Sequence, residues 1–517
     1  MATSAPVSRA ELVASLSLAV DLGLGLPMEH VLRQTVIATR LAAAAGFEPD
    51  AREAVYYASL LAWVGCTADS SELARLFGDD LRIRADSYET DLSGLPLLTF
   101  MVRNAGSGSS PLRRLALVAE VLTSKVVERS FVAHCDAAAG MAARFGLGPG
   151  VADVLQQLFE RWDGKGTPNK LRGAALVPAV RVLHIADIVE VYDRLGGSAA
   201  AVAVARERRG GMFDPALVDC FCDNHEALLV DLDGSSWDEV IGSDPALGRP
   251  LDDDELDEAL ASLGDYADLK SPWWAGHSRG VADLAADAAS RLGLPEGAVR
   301  DVRRAGFVHD LGVIGVSNAV WDQPGPLGAT DRERVRTHPY LTERTLARSP
   351  GLAPLGQLAA MHHERLDGSG YPAGLVGDAI PQPARVLAAA DVYHALREPR
   401  PHREALPAKG AAEVLQGEAR TGRLDGEAVN AVLAAAGHRV RRRVEHPGGL
   451  TPREVEVLVH LARGKRNREI AEALGISAKT VSAHLERVYL KAGVTSRAAA
   501  TLFAMRHGLL SLEDAGT

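Results

Sequence analysis

Cysteine is scarce. Four residues in 517, Cys66, Cys135, Cys220 and Cys222, are too few to staple so long a chain, which excludes a secreted disulfide scaffold. Cys220-x-Cys222 has no second pair and no histidine motif to complete it, so it reads as two buried thiols rather than a metal or redox pair. Lysine is nearly missing as well: of 56 basic residues only 8 are lysine, leaving 48 arginines. Every apolar run is cut by a charge before about 18 residues, so no membrane span is expected. Residues 1–12 lack the basic stretch and apolar core of a signal peptide. The expected setting is a reducing cytoplasm, with no membrane partner.

What is present is a chain 47% hydrophobic and 24% charged, which at about 100–200 residues per domain predicts about three domains. Ala, Leu, Arg and Glu dominate, apolar residues recur at three and four, and no sustained alternation marks a sheet; the predicted class is all-α. An acidic, Gly/Ser/Pro-containing stretch over 231–257 and the segment Glu445-His446-Pro447-Gly448-Gly449 break the pattern. The boundaries they predict are 1–235, a linker at 236–259, 260–437, a linker at 438–449, and 450–512. Net charge is −11, but residues 439–506 hold 14 Lys and Arg against 6 Asp and Glu, so this end carries +8 and the rest −19. An acidic protein with a basic end points to nucleic acid at that end alone.

The first two segments read as copies. An offset of 204 superimposes Glu364-Arg365-x-Asp367-Gly368-x-Gly370-x-Pro372 on Glu160-Arg161-x-Asp163-Gly164-x-Gly166-x-Pro168, with 14 identities in the 28 positions from Glu364 to Asp391. The shared residues include Gly, Pro and Asp rather than only the helix-forming Ala and Leu, which argues for duplication over chance.

In the second copy His277, His309-Asp310, His338, His362-His363 and Asp391 form an imidazole and carboxylate set suited to Fe, Mn or Zn rather than Mg or Ca. A lone histidine on a helix is usually a surface or satisfied core residue; it is the set, followed by Asp367-Gly368-Ser369-Gly370-Tyr371-Pro372, that carries weight. The order H, HD, HP, HHE-x-x-DGxGYP, D closely resembles the HD-GYP branch of the HD-domain phosphohydrolases, helical enzymes that open c-di-GMP. The resemblance implies that His277, His309, Asp310 and Asp391 form the core of the site, with Asp310 bridging and, with His309, catalytic. It implies that His338, His362 and His363 serve a second divalent ion, and that Asp367, Gly368, Gly370, Tyr371 and Pro372 shape the substrate site. Two such ions about 3.5–4 Å apart suit displacement at an anionic phosphodiester. The family's HDxGK pattern reads here His309-Asp310-Leu311-Gly312-Val313, without the lysine. Trp273 stands where some relatives carry a third-metal glutamate, and His394 where an aspartate is usual.

The first copy has lost this set. Thirty-two residues beyond His30, the spacing from His277 to His309, lie Ala62-Trp63 instead of His-Asp. Leu158-Phe159 replace His362-His363 and Thr167 replaces Tyr371, leaving His30, His134 and Asp187. A packing or dimerisation module, or a pocket that binds without cutting, are the two readings.

At the basic end, Thr451 and Glu454 spell a capping box with Pro452 at the first helical position. Helices are predicted at 467–474 and, after Gly475-Ile476-Ser477, at 478–491, as in a helix-turn-helix. L-T-P-R-E-x-E-V-L, R-E-I-A-x-x-L-G-I-S-x-K-T-V-x-x-H and K-A-G-V-x-S-R closely resemble the four-helix LuxR-type DNA-binding domain. That resemblance implies a homodimer on duplex DNA, with Lys479, Thr480, Val481 and Lys491 on or near the DNA and Arg466, Arg468 and Arg497 as phosphate contacts. Ser482 and Ala483 would sit on the reading face. The predicted whole is two tandem HD-type domains followed by a DNA reader, a bacterial transcription regulator that binds and hydrolyses a c-di-GMP-like nucleotide. A silent nucleotide-gated DNA-binding protein and a phosphohydrolase of another nucleotide are the alternatives.

Overall fold

The computed structural model describes residues 5–91, 94–123, 126–232, 234, 236–244, 248–439, 447–507 and 509. Among them the secondary structure is helical, and β-pairing is confined to isolated bridges such as Asp367 with Val376. Two compact units emerge, residues 1–438 and 439–517.

The larger unit is organised around its first helix, Arg9–Leu24, opened by a Ser8/Glu11 capping box and closed by left-handed Gly25. This helix is apolar nearly all round, and its residues are buried on every face, the pattern of a core helix rather than a surface one. It packs on both copies. A Cβ on Gly23 would come within 2.8 Å of the Ile314 side chain, and Ser349 Oγ donates to Glu11 at 3.1 Å. The halves therefore share a core. Residues 236–259, read from composition as a linker, are largely helical: Ser236–Gly242 buries Trp237 and Val240, and a capping box of Asp252 and Glu255 starts Asp253–Asp268. Asp238, Asp253, Asp254 and Glu258 occupy exposed faces, while Asp244 is buried, accepting from the Tyr57 hydroxyl, and Leu260 and Leu263 enter the core. Acidity here mostly marks the outside of a helix, not an extended linker.

The copies repeat element by element. His30 and His277 each open a helix, His30–Ala44 and His277–Arg291, behind a left-handed residue, Glu29 and Gly276. Pro49–Leu61 delivers Ala62-Trp63 as Glu296–Val308 delivers His309-Asp310, each followed by a 3-10 turn. The glycine-rich loops share one construction. Glu364, buried, accepts N–H bonds from Ala373, Gly374 and Leu375, and Glu160 accepts from Asn169 and Leu171. A Cβ at Gly370 or Gly166 would lie 2.5 or 2.4 Å from the Cα of that glutamate, so only glycine fits either loop.

The smaller unit is a helical domain of Pro452–Ala462, Asn467–Leu474, Ala478–Ala492 and Arg497–Arg506. Thr451 and Glu454 form the capping box, and Gly475 closes the second helix at φ 65°. Val457, Leu458, Leu461, Ile470, Val481, Leu485 and Val488 form its core.

Candidate metal centre

Three helices and two turns bring all seven sequence-predicted ligands of the second copy together. Asp310 sits at the centre. Its Oδ1 faces His338 Nε2 and His362 Nε2 at 3.3 and 3.4 Å; its Oδ2 faces His309 Nε2 and His277 Nε2 at 3.3 and 3.6 Å. Asp391 Oδ1 closes the second group at 3.4 Å from His277, and His363 joins the first. Two sets of donors are thus arranged on either side of one carboxylate.

The far nitrogens fix the tautomers. His309, His338 and His362 each present Nδ1 to a backbone carbonyl, of Gly306, Val335 and Ala359, at 2.8, 2.6 and 2.7 Å. A carbonyl only accepts, so each Nδ1 carries the proton and each Nε2 turns a lone pair inward. Lone pairs of His338 and His362 meet at 3.1 Å, and His309 Nε2 is fully buried and makes no hydrogen bond. Converging, unprotonated donors with their outer N–H groups anchored are what a divalent transition-metal ion requires; the residues fit one.

The charge balance agrees. Burial would raise the Asp310 carboxyl, but the surrounding histidines hold it well below its ordinary value. Burial, reinforced by neighbouring imidazoles, pushes His363 well down, and burial also lowers His362; neutral imidazole is the ligating form. His277 and His309 differ: burial opposes their charge, but Asp391, Glu398 and Asp310 lift His277 to about 10, and Asp310 and Asp391 raise His309.

Sequence reasoning missed Glu398. It accepts from His277 Nδ1 at 3.0 Å and pairs with His394 Nδ1 at 3.0 Å and Arg400 at 2.7 Å. The signal was available as Asp391, His394 and Glu398 at spacings of three and four. His394 is accommodated because a Cβ on Gly280 would overlap its ring.

The loop residues divide. Tyr371 lies over His363, ring centroids 4.6 Å apart, under the Arg336 guanidinium, and so roofs the cleft. Asp367 turns to its own loop, accepting from Ser369 N and Oγ; Gly368 supplies a left-handed φ of 79°, and Pro372 is exposed. Val313, in the place of the missing lysine, is buried in packing.

In the first copy the indole of Trp63 donates to Asp187 Oδ1 at 3.0 Å, and His134 Nε2 meets the Ala62 carbonyl at 2.8 Å. Among the described residues every cluster able to hold a metal lies in the second copy.

In the DNA-type unit, Arg466, Arg468, Lys479 and Thr480 are exposed, while Ser482 and Ala483 are half-buried at the start of Ala478–Ala492. Three of the residues that the resemblance places on or near DNA are engaged inside the domain. Val481 is wholly buried in the domain core. Lys491 Nζ is committed to Glu454 Oε2 at 2.8 Å and the Gly449 carbonyl at 3.1 Å. Arg497 donates to the carbonyls of Leu461 and Lys465. Family position placed them near DNA; packing and internal pairing employ them within the domain.

Comparison with known proteins agrees with this geometry. Residues 262–428 match the HD domain family, and residues 449–504 match the bacterial regulatory proteins of the luxR family. The chain is 30% identical to 3'3'-cGAMP-specific phosphodiesterase 3 of Vibrio cholerae over 78% of its own length and 90% of that protein. The chain belongs to the HD-GYP-type phosphodiesterases. It is 42% identical, over 28% of its length and 39% of the relative, to the cyclic di-GMP phosphodiesterase response regulator RpfG of Xanthomonas campestris pv. campestris. A crystal structure of a cyclic GMP-AMP specific phosphodiesterase from V. cholerae superimposes with TM-score 0.58 at 26% identity, covering 84% of this chain and 98% of that one. The HD-GYP enzyme described here is accordingly a metal-dependent phosphohydrolase carrying a LuxR-type DNA-binding domain. Among its described residues no helix is long and apolar enough to cross a membrane.

Proposed function

We propose that this HD-GYP protein is a cytoplasmic transcription regulator that hydrolyses a cyclic dinucleotide within residues 260–437 and reads duplex DNA, as a homodimer, through residues 450–512. Residues 1–235 form a degenerate copy. The observation that carries the catalytic reading is Asp310, each of whose oxygens faces its own pair of inward-turned imidazoles. His277, His309 and Asp391 would hold one divalent ion and His338, His362 and His363 another, of Fe, Mn or Zn, with Asp310 shared. Bound there, the ions would activate water and neutralise charge on the phosphate and the leaving oxygen.

The chain's own groups orient and protect. Asp310 stays ionised, and His309, His338 and His362 already give Nδ1 to a carbonyl, whereas His277, lifted to about 10 beside Asp391 and Glu398, must release a proton to bind an ion. Tyr371 covers one side and the Glu364-braced loop fixes its position. The substrate favoured for testing is 3'3'-cGAMP, because the relative named for it spans both copies of this chain; c-di-GMP is the comparison.

The experiment is metal analysis and hydrolysis of 3'3'-cGAMP, c-di-GMP and linear dinucleotides by the purified full chain. Two ions per chain and cleavage of a cyclic dinucleotide are expected, with Asp310→Asn losing both. Retained metal in that variant, or hydrolysis confined to linear substrates, would overturn the assignment.

A further inference from the structure

The degenerate copy is not filled solid. Where it lost its metal ligands it encloses a cavity of about 290 Å³, at the small end of ligand pockets. Trp63, Phe100, Met101, Phe131 and Phe159 give it an apolar wall. The carboxylates on that wall are satisfied internally: Asp69 by Arg84, Asp187 by Trp63 and His30, Glu160 by loop N–H groups. Two neutral polar groups are not. Gln34, wholly buried, has neither its amide oxygen nor its nitrogen bonded, and the hydroxyl of Tyr88, 7% exposed, is also without a partner. Both residues line this cavity. Buried polar groups in folded proteins are nearly always paired, so three open positions around one apolar chamber are a set of unmet requirements.

We propose that this cavity is an effector site for a small, flat, uncharged molecule bearing a donor beside an acceptor, a lactam or amide edge. The Gln34 amide offers the matching acceptor and donor, Tyr88 adds a third contact, and the aromatic wall takes the ring. The paired carboxylates leave nothing for a cation. The volume admits a bicyclic ring, not a cyclic dinucleotide. Occupancy reaches the metal centre through one helix. Ile83, Arg84 and Ser87 of Asp80–Ser87 line the cavity, and Asp80 at its start accepts from Ser317 Oγ at 2.7 Å and Asn318 N at 2.8 Å, just beyond the turn that follows His309-Asp310.

The site rests on the geometry of the first copy and not on the catalytic reading, and the binding arms of the test need no turnover. The probe is 2-quinolinone, a flat neutral lactam, titrated calorimetrically into the full chain, with quinoline, which lacks the lactam edge, as its control. The lactam is expected to bind one per chain and at least about tenfold tighter than quinoline, the effect of one or two hydrogen bonds to buried groups. Gln34→Met should erase that preference while keeping quinoline binding, and Met101→Trp, which fills the chamber, should remove both. Circular dichroism and metal content report that each variant is folded. Equal affinity for the two probes, no saturable binding, or binding undisturbed by Met101→Trp overturns the site. At saturation the manganese-supported hydrolysis of bis(p-nitrophenyl) phosphate should shift at least about twofold in the native chain and not in Gln34→Met. Binding with no shift in rate overturns the effector role.

Discussion

Asp80 joins the two copies through a charge that has no water to fall back on. Its carboxylate and the Lys270 ammonium are both fully buried and 2.7 Å apart; Ser317, Asn318 and Arg84 complete its partners. Burial alone would raise its pKa, but Lys270 and Arg84 outweigh that and hold it at about 2. Against an unfolded value of 3.8 this is nearly two units, or about 2 kcal/mol at 1.36 kcal/mol per unit. Because the folded value is the depressed one, this stability is present above pH 3.8 and is lost as pH falls toward 2. Asp80→Asn should cost more, about 3–5 kcal/mol, since it also strands the Lys270 charge. Unfolding entropy of about 2 cal/mol/K per residue across the 438-residue unit converts this into roughly 3–5 °C of Tm. Calorimetry at pH 7 measures it, beside the double variant Asp80→Leu/Lys270→Met. The double variant should recover the part owed to the stranded ammonium but not the part owed to Ser317 Oγ and Asn318 N, which still lose their acceptor. A single variant within 1 kcal/mol of native, or a double variant as unstable as the sum of its parts, refutes the reasoning.

His30 should set an alkaline limb to stability. Burial disfavours its charge, but Glu190 and Asp187 raise it to about 10, so its contribution is complete below its unfolded value of about 6.5 and drains away as pH climbs toward 10. Glu190, held at about 2 by His30 and flanking arginines against the cost of burial, sets the acid limb below its unfolded 4.5. Tm against pH for native chain and His30→Gln should therefore diverge most between pH 4.5 and 6.5 and converge above 9; parallel curves reject the assignment. In DNA binding by the full chain, Lys479→Ala should lower the slope of log affinity against log salt by about 0.9, one phosphate. Lys491→Ala should leave that slope alone and instead lower the domain's Tm, since it strands buried Glu454. A reduced slope for Lys491→Ala would return that residue to the DNA face.

The fold class and the metal constellation were legible because each is written in local chemistry. Thr451, Pro452, Glu454 and Gly475 mark helix ends by the hydrogen bonds and φ angles they supply, and the observed helix Asn467–Leu474 has the residues predicted for it. His277, His309 and Asp391 are far apart in sequence, but the motif order named them and the helices bring them together. What sequence hid was partnership. Lys491 and Arg497 carry charge as a DNA contact would, and only the position of Glu454 and of the Leu461 and Lys465 carbonyls shows that the charge is already engaged. Acidic residues at 236–259 suggested a linker because composition cannot tell a solvated helix face from a solvated chain.

The same limit concealed how the first copy balances the charges buried where the second copy gathers its candidate ligands. At the three positions around the second copy's His277, Gly280, His394 and Glu398 form a pocket of histidine and carboxylate. The corresponding residues beside His30 are Arg33, Glu190 and Arg194. Here the acid occupies the middle: Glu190 binds His30 Nδ1 at 2.5 Å, Arg33 Nε at 2.8 Å and Arg194 at 3.1 Å. Simply removing a metal from such a core would leave carboxylates and imidazoles buried without a counter-charge, at a cost of several kcal/mol. The exchange supplies that counter-charge from arginine and imidazolium, while Trp63 takes the remaining acceptor on Asp187. Loss of the His-Asp pair and gain of Arg33, Glu190 and Arg194 are therefore one electrostatic change. Its counterpart is that reinstating His-Asp at Ala62-Trp63 alone would not rebuild a metal site, because the cationic groups around Glu190 would still occupy the charge balance an ion requires.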